Sequence, residues 1–365
     1  MAMADLFKAS KKVLCPFCFS EFHLKSTPFR CKGALSNCAL VQDPVLSVKW
    51  GDQRPMGKVL PATGRFTRGR VCQVCREETT DRLCPKCHES LPGALGLYPA
   101  FTFAVIGAKD SGKSHFLAVL IEQLKNHVGP DLDILLESAG DDTTRRYRTD
   151  FYHPVYSHHR TIQATHSALH NREVRRPLVY TFLLSKRDFL GRKKISFAAV
   201  LSFYDTAGED LNESPVMSTV NKYIYKSNGI ILLLDPLQIP AVRDQLGDTA
   251  PLPAVFTETE DILTRTTRLI REFRKPQIGP RDKIPIPLAV AFSKFDAVAS
   301  LMDPQSQLLT YPRHDGGFDM NDFEATNGEL LSLLKDWGEH NLIQQVEAHY
   351  AKSGFFGLSA LGCNP

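Results

Sequence analysis

The sequence predicts an α/β protein with a doubly wound, mostly parallel sheet, preceded by small cysteine-rich modules. From residue 100 onward, apolar runs typical of buried strands alternate with segments of helical periodicity. Short polar motifs follow several of those runs directly, which is where a parallel sheet places its ligand. Ahead of them, eight of the 9 cysteines lie between Cys15 and Cys87. These three observations define the predicted fold class.

Composition is that of a soluble globular protein of two or three domains, with 365 residues of which 43% are hydrophobic and 23% charged. The sequence has no apolar export signal near its start and no apolar run long enough to span a bilayer, so we expect a cytoplasmic protein. Residues 1–100 hold 15 Lys/Arg against 8 Asp/Glu. Metal-bound thiolates would offset much of this positive charge, so nucleic-acid binding is possible but not favoured over protein binding.

The cysteines form two consecutive sets with the spacing of zinc ligands: Cys15, Cys18, Cys31 and Cys38, then Cys72, Cys75, Cys84 and Cys87. We expect each set to bind one Zn²⁺, which gives a first zinc module in residues 1–50 and a second zinc ribbon with a linker in residues 51–95. An exchange of ligands between the two sets remains open, and redox chemistry is a weaker alternative. His23 and His88 are expected at the surface.

Between and after the cysteine sets, short segments predict local structure. VLSVKW (residues 45–50) and MGKVLPATGRF (56–66) predict short strands and a turn. SLPGALGLYP (90–99) predicts a linker because it contains Pro and Gly. A nucleotide domain is expected over residues 96–365.

A phosphate-binding loop is predicted between a strand at Phe101–Ile106 and a helix at Phe116–Leu124. The loop GAKDSGKS fits G-x-x-x-x-G-K-[ST] without mismatch. Loop N–H groups would surround phosphate oxygens, Lys113 would reach the β- and γ-phosphates, and the Ser114 hydroxyl would be a Mg²⁺ ligand. The candidate phosphate-binding residues are Gly107, Asp110, Ser111, Gly112, Lys113, Ser114 and His115.

Further strands end at polar residues. A strand at Ile195–Tyr204 ends at Asp205, which could hold Mg²⁺, and Gly208 could donate its N–H to a γ-phosphate. The remaining predicted elements are strands at Pro177–Leu184, Gly229–Leu234, Ile286–Phe292 and Gly354–Leu358, and helices at Glu258–Phe273 and Gly328–Tyr350.

The ordered motifs GAKDSGKS, DTAG, SKFD and SA resemble those of TRAFAC-class, Ras-like P-loop GTPases over about residues 100–361. The resemblance implies GTP or GDP as ligand. Asp296 would accept hydrogen bonds from the guanine base, the Lys294 stem would lie along it, and the Ser359-Ala360 backbone would meet the guanine oxygen. Ser293 stands where the family carries Asn or Thr, and Glu209 where Ras-like members carry a water-positioning Gln.

The resemblance also implies a switch I, which we place at about residues 131–176, with Thr165 preferred over Thr161 as the switch threonine. Five histidines in this segment are expected to be solvated rather than metal-binding. Insertions are expected near 238–256 and 300–323. The arrangement of zinc ribbons ahead of an elaborated GTPase domain is similar to prokaryotic double-GTPase families linked to conflict or defence systems.

The sequence thus predicts a GTP-binding and GTP-hydrolysing molecular switch with GTP/GDP, Mg²⁺ and two Zn²⁺ as ligands. Lys113, Gly208, Glu209 and Thr165 would be catalytic, and Ser114 and Asp205 would hold Mg²⁺. Hydrolysis is expected to be slow without a partner. That partner would be a protein effector that contacts switch I and the zinc ribbons, with nucleic acid as the alternative. The alternatives are a zinc-ribbon ATPase acting on nucleic acid and a nucleotide-binding scaffold with little turnover.

Overall fold

The computed structural model describes residues 12–33, 38–162, 176–187, 191–205, 222–247, 259–275, 277–310 and 317–362. The chain folds into two units. The first unit comprises the described residues of Met1–Phe101, Leu135–Arg145 and Asn171–Ser202. The second comprises those of Thr102–Ile134, Arg146–His170 and Phe203–Pro365.

The cysteine region of the first unit is built from very short strands. They pair antiparallel as β1 with β2, β3 with β6, β4 with β5, and β7 with β8. Their bounds are β1 Lys12–Leu14, β2 Glu21–His23, β3 Phe29–Arg30, β4 Leu40–Gln42, β5 Pro55–Gly57, β6 Val59–Leu60, β7 Arg70–Val71 and β8 Glu78–Thr79. A 3₁₀ turn lies at Leu24–Ser26.

The predicted strand at VLSVKW is wrong, because this segment is a helix, α1, at Pro44–Trp50. Asp43 caps the helix and accepts hydrogen bonds from the N–H groups of Val45 and Leu46. Pro44 occupies the first turn, where its missing N–H costs nothing. Gly51 ends the helix at φ 72°, a left-handed conformation that favours glycine.

Two small apolar clusters hold the cysteine region together. In the larger one, Leu46 and Trp50 of α1 pack with Cys15, Cys84 and Cys87, and with the buried residues Val13, Phe22, Leu24, Leu91 and Leu95. Phe29 and Leu60 pack around the other cysteines in the smaller cluster. Part of the segment predicted as a linker therefore belongs to a core.

The central sheet has seven strands in the order β10-β11-β12-β9-β13-β14-β15. Their bounds are β9 Ala100–Gly107, β10 Ile134–Ser138, β11 Leu178–Arg187, β12 Lys193–Asp205, β13 Gly229–Leu234, β14 Leu288–Phe292 and β15 Ser353–Gly357. The four neighbouring strands β9, β13, β14 and β15 are parallel. The predicted α/β fold with a mostly parallel sheet is confirmed.

Strand register brings the polar motifs together. Gly107 at the end of β9 pairs with Leu233, Leu234 pairs with Phe292, and Phe292 pairs with Gly357. The carboxyl ends of four strands therefore meet at one edge of the sheet. The phosphate loop, Asp235, SKFD and Ser359-Ala360 all leave the sheet at this edge.

The helices that follow in the chain are α2 Lys113–Asn126, α3 Val128–Asp131, α4 Asp141–Arg146, α5 Lys222–Lys226, α6 Pro240–Leu246, α7 Thr259–Phe273, α8 Met320–Asp336 and α9 His340–His349. Turns of 3₁₀ helix lie at Pro236–Gln238, Phe295–Leu301 and Gln307–Leu309. The single helix predicted over Gly328–Tyr350 is wrong. The chain breaks between α8 and α9 at Gly338, whose φ is 86°.

Much of the described part of 131–176 has regular structure. It holds β10, then α4, and then a π-helix at Tyr147–Ser157 that continues directly from α4. The π-helix contains Pro154. Wide π-helical turns are rare in proteins and are found frequently at functional sites.

Candidate nucleotide site and metal centres

The phosphate loop spans the gap between β9 and α2 in a conformation that its residue types allow. Asp110 and Gly112 have φ of 62° and 82°, and Gly112 is the N-cap residue of α2. At Gly107, a Cβ would come within 2.7 Å of the Leu233 carbonyl oxygen on β13. Glycine is required at that position because the neighbouring strand lies so close.

Lys113 is buried, with 6% of its surface exposed. Its Nζ donates to the carbonyl oxygens of Gly107, at 3.2 Å, and of Ala108, at 2.6 Å. Burial lowers the pKa of Lys113 to about 8, while Asp205 and Asp110 oppose the shift. The side chain thus places a compact cation inside the loop, as phosphate binding requires.

Two hydroxyl groups in the loop fit the predicted ligands. The Ser114 Oγ donates to Oδ2 of Asp205 at 2.7 Å, so a hydroxyl and a buried carboxylate from α2 and β12 lie side by side. Such hard oxygen ligands suit Mg²⁺. The buried Ser111 Oγ has no hydrogen-bond partner among the described residues. A bound phosphate would satisfy an orphaned donor of this kind.

On the other side of the site, SKFD begins directly after β14. Ser293 is buried, and its Oγ donates to the Leu234 carbonyl at 3.3 Å. Lys294 has a left-handed φ of 52°, and its Nζ pairs with Oδ2 of Asp235 at 2.7 Å. Asp235, 1% exposed, directly follows β13. Burial raises the pKa of Asp235, and Lys294 opposes this shift by stabilising the carboxylate.

The predicted base-reading elements are in contact with each other. The Ser359 Oγ donates to Oδ1 of Asp296. The backbone N–H of Phe295 donates to the Leu358 carbonyl at 3.1 Å, and the Leu358 N–H donates to the Phe292 carbonyl at 2.8 Å. SKFD and Ser359-Ala360 therefore form one connected pair of loops at the sheet edge that also carries the phosphate loop.

His115 joins α2 to the chain that follows the π-helix. Its Nε2 accepts a hydrogen bond from the backbone N–H of Ile162 at 3.0 Å, so this nitrogen is unprotonated in the bond. Burial and, to a smaller extent, Lys294 lower the pKa of His115. The neutral imidazole is thus the favoured form.

Several predicted catalytic residues lie outside the described residues: Thr165, Gly208 and Glu209. Their catalytic roles stay predictions. Thr161, the alternative switch threonine, is described and exposed.

The eight cysteines form two clusters of four that could each hold a metal ion, but not from consecutive sets. One cluster combines Cys15 and Cys18 with Cys84 and Cys87, and the other combines Cys31 and Cys38 with Cys72 and Cys75. The sequential grouping is therefore wrong, and the alternative in which the two sets exchange ligands is correct. Linear spacing cannot distinguish the two, because the chain folds back between β3 and β6 and brings distant pairs together.

Three of the four cysteine pairs share the same local geometry. In the pairs that begin at Cys15, Cys72 and Cys84, the N–H of the first cysteine donates to the carbonyl five residues on. The N–H of the fourth residue after that cysteine donates a hydrogen bond to the carbonyl of the cysteine. That fourth residue has positive φ in all three turns: Phe19, Arg76 and His88. At the remaining pair, the N–H of Cys31 donates to the Lys58 carbonyl at 3.0 Å, and residues 34–37 between its two cysteines lie outside the described residues.

The sulfur positions fit zinc. Sγ–Sγ distances are 3.8 Å for Cys15–Cys87 and 3.7 Å for Cys18–Cys84, then 3.6 Å for Cys31–Cys75 and 3.9 Å for Cys38–Cys72. A tetrahedron with Zn–S bonds of about 2.3 Å has edges of about 3.8 Å, and a disulfide would be about 2.05 Å. The donor set and its spacing are therefore those of two Cys₄ zinc sites.

Neither His23 nor His88 belongs to these clusters. The expectation that His88 is a surface residue is wrong, since its side chain is only 19% exposed and its Nδ1 lies 2.9 Å from Oδ2 of Asp43. Asp43 also pairs with Arg30 at 3.0 Å. The capping carboxylate of α1 is thus held by two basic side chains.

Sequence reasoning missed two residues that support the candidate nucleotide site. Asp235 positions Lys294, and its place at the end of a buried strand was the available signal. Gln238 donates from Nε2 to the Lys109 carbonyl of the phosphate loop at 3.3 Å. No sequence signal marks Gln238, because its contact crosses 129 residues of chain.

No family model matches the chain. A curated relative, the "Putative ESX-1 scaffolding and assembly protein SaeC" of Mycolicibacterium smegmatis, is 26% identical over 302 residues, which cover 78% of this chain and 73% of that protein.

Among solved structures, the chain is similar to the Chaetomium thermophilum signal recognition particle receptor complex SRb-GTP/SRX, with 15% identity, a TM-score of 0.27, and coverage of 73% of this chain and 93% of that chain. It is also similar to the GTPase-like domain of S. cerevisiae Ski7 bound to GDP and inorganic phosphate, with 14% identity and a TM-score of 0.28. That match covers 72% of this chain and 44% of that chain. At these scores the likenesses support no conclusion about function. Among the described helices, none is both long and apolar enough to cross a membrane.

Proposed function

We propose that the protein is a Ras-like P-loop GTPase that binds and hydrolyses GTP as a molecular switch. The observation that carries this proposal is the meeting of three motifs at one sheet edge. There the Lys113 cation lies in the phosphate loop, Ser114 pairs with Asp205 at the end of β12, and Asp296 lies just after β14. Asp296 is proposed to select guanine, because a carboxylate accepts from the donors that guanine presents and adenine lacks.

In the proposed mechanism each residue has a separate task. Lys113 would neutralise the β- and γ-phosphates, and Ser114 and Asp205 would hold Mg²⁺, which neutralises the charge that develops on the phosphates. The Lys294 stem, held by Asp235, would lie along the base. Glu209 would orient or deprotonate the attacking water, and Gly208 and Thr165 would sense the γ-phosphate.

A second function, a nucleotide-binding scaffold with little turnover, is favoured by two observations. Glu209 stands where related GTPases carry Gln. The relative with 26% identity is named for scaffolding and assembly. Multiple-turnover phosphate release from the zinc-loaded protein would exclude this alternative. The assignment to double-GTPase families of conflict systems, and the contact of the zinc region with an effector protein or nucleic acid, stay predictions from the sequence.

The proposal is tested by calorimetric titration of the zinc-loaded protein with GDP and ADP in the presence of Mg²⁺. We expect GDP to bind and ADP not to bind, and Asp296→Asn to lose GDP binding and gain xanthosine diphosphate binding. Asp303→Asn is the control, because Asp303 is an exposed carboxylate in the same loop region. Equal binding of ADP and GDP would contradict the guanine assignment and favour the zinc-ribbon ATPase.

A further inference from the structure

A groove lies between α7 and α9, and all of its described lining belongs to the second unit. Its volume is about 570 Å³, within the range of ligand-binding clefts. Side chains three or four positions apart share one face of a helix, so α7 and the turn after it present a row of side chains to the groove. This row and the side chains of α9 opposite include Thr264, Arg268, Arg271, Lys275, Gln345 and His349.

The groove ends at the sheet edge opposite to the one that carries the nucleotide motifs. The N–H of Ile284 donates to the His349 carbonyl at 2.7 Å, and the N–H of Ala351 donates to the Ile284 carbonyl at 3.0 Å. These contacts come just before β14 and β15, so His349 lies near the amino ends of both strands. At about 3.3 Å per residue, β14 spans roughly 16 Å between this edge and SKFD. The groove is therefore separate from the candidate nucleotide site.

Arg271 is held in place in the groove by backbone carbonyls. Its Nη1 donates to the Pro280 carbonyl at 3.3 Å, and its Nη2 donates to the Asp282 carbonyl at 3.1 Å. Nη2 also lies 3.5 Å from Nδ1 of His349. Burial and, to a smaller extent, Arg271 lower the pKa of His349, so the neutral imidazole adds no charge. Because carbonyls hold the guanidinium without neutralising it, Arg271 is preorganised to bind an anion.

Two further cations of the groove have no partner. Arg268 and Lys275 are exposed, and neither forms a hydrogen bond or an ion pair with any residue that the structure describes. Glu272 also lines the groove, four positions after Arg268 and three before Lys275, yet it pairs with neither. Three cations against one carboxylate give the described part of the groove an excess of positive charge. Such a cleft attracts an anionic ligand.

The spacing of the charges favours a peptide over a small anion or a nucleic acid. Arg268 and Lys275 are about 10 Å apart along the helix axis, at about 1.5 Å per residue. An extended peptide covers that length with about three residues, and its carboxylates can pair with guanidinium groups in bidentate geometry. A peptide can also present a basic residue to Glu272, whereas a chain of phosphates cannot. No Phe, Tyr or Trp on which bases could stack lines the described part of the groove.

We propose that the groove between α7 and α9 binds an acidic peptide segment of a partner protein. Carboxylates of that segment pair with Arg268, Arg271 and Lys275, and one basic residue among them pairs with Glu272. This inference does not depend on which nucleotide the protein binds or on whether it hydrolyses that nucleotide.

The first test is selection from a display library of random peptides on the full zinc-loaded protein. We expect the selected peptides to be enriched in Asp and Glu, with one Lys or Arg between the acidic residues. Selection on Glu272→Gln should keep the acidic residues and lose the preference for the basic one. Selected peptides without acidic enrichment, or no selected peptides at all, would overturn the inference.

Fluorescence anisotropy with a selected peptide locates its binding site. Arg268→Ala combined with Lys275→Ala should weaken binding about tenfold, as expected for the loss of two exposed ion pairs, and added salt should also weaken it. Both positions are exposed, so the variant should fold. Arg265→Ala is the matched control and should bind like the wild type, because Arg265 lies on the same helix but outside the groove and pairs with Asp261 at 3.7 Å.

Two outcomes of the binding measurement would contradict the proposal. Equal affinity of the double variant and the Arg265→Ala control would show that the acidic peptide binds elsewhere on the protein. Displacement of the labelled peptide by short single-stranded DNA at a lower concentration than by the unlabelled peptide would assign the groove to nucleic acid instead.

Discussion

At the scale of single residues, the protonation of Lys113 links nucleotide binding to pH. In the free protein, burial lowers the pKa of Lys113 to about 8. A bound phosphate would raise this pKa, because a nearby anion favours the ammonium. Below pH 8 the lysine is already charged, so affinity for GDP should be constant there. As pH rises above 8, binding must take up a proton, and affinity should fall.

Titration calorimetry in two buffers of different ionisation enthalpy measures this proton uptake. We expect uptake near zero at about pH 7 and approaching one proton at about pH 9. Lys125→Met should leave the uptake unchanged, since that ammonium lies over the Tyr147 ring at the far end of α2. Lys113→Met should abolish the uptake or the binding. Uptake that is the same at both pH values would show that Lys113 is not the linked group.

Asp235 is a positioning residue whose role can be tested by a neutral substitution. Asp235→Asn keeps an oxygen for the Leu237 N–H but removes the charge that holds Lys294. We expect GDP affinity to fall about tenfold, or about 1.4 kcal/mol, as is typical for loss of a charge-assisted hydrogen bond. Asp244→Asn, at an exposed position on α6, is the control.

A stability measurement separates positioning by Asp235 from a structural effect. If Asp235 acts through Lys294, its variant should weaken GDP binding without changing the melting temperature of the nucleotide-free protein by more than the control does. Unaltered GDP affinity would mean that the Lys294–Asp235 pair does not persist with nucleotide bound.

At the scale of elements, the sequence predicted the parts whose signal is local. The strand at Gly229–Leu234 has the predicted bounds, and β9, β12, β14 and β15 fall within a few residues of prediction. Buried parallel strands are continuous apolar runs, and each motif here follows directly after its run. The phosphate loop could therefore be placed, and its position at the same sheet edge as the base-reading loops followed because the carboxyl ends of parallel strands lie at one edge.

Elements with competing signals were predicted less well. VLSVKW alternates apolar and polar residues like a strand, yet Asp43 and Pro44 start a helix. The segment Gly328–Tyr350 has helical periodicity throughout, but Gly338 adopts a left-handed conformation and divides it. In both cases a single capping or breaking residue outweighed the periodicity.

At the scale of the whole molecule, contacts between distant segments were beyond sequence reasoning. Arg176 pairs with Asp52 across 124 positions of chain, and no spacing rule connects the two residues. The grouping of the cysteines into two clusters likewise depends on contacts between segments that are distant in the chain. Four equivalent pairs can be combined in several ways, and only the fold of the chain between them selects one.

The pairing of the cysteines predicts zinc stoichiometry in a way that separates the two groupings. Cys15→Ser and Cys84→Ser remove ligands from the same cluster, so each variant, and the double variant, should retain one Zn²⁺. Cys15→Ser combined with Cys38→Ser removes one ligand from each cluster and should retain none. Consecutive sets would give the opposite results for both double variants. Metal analysis of the purified proteins decides between them, because three remaining thiolates bind zinc less tightly than four.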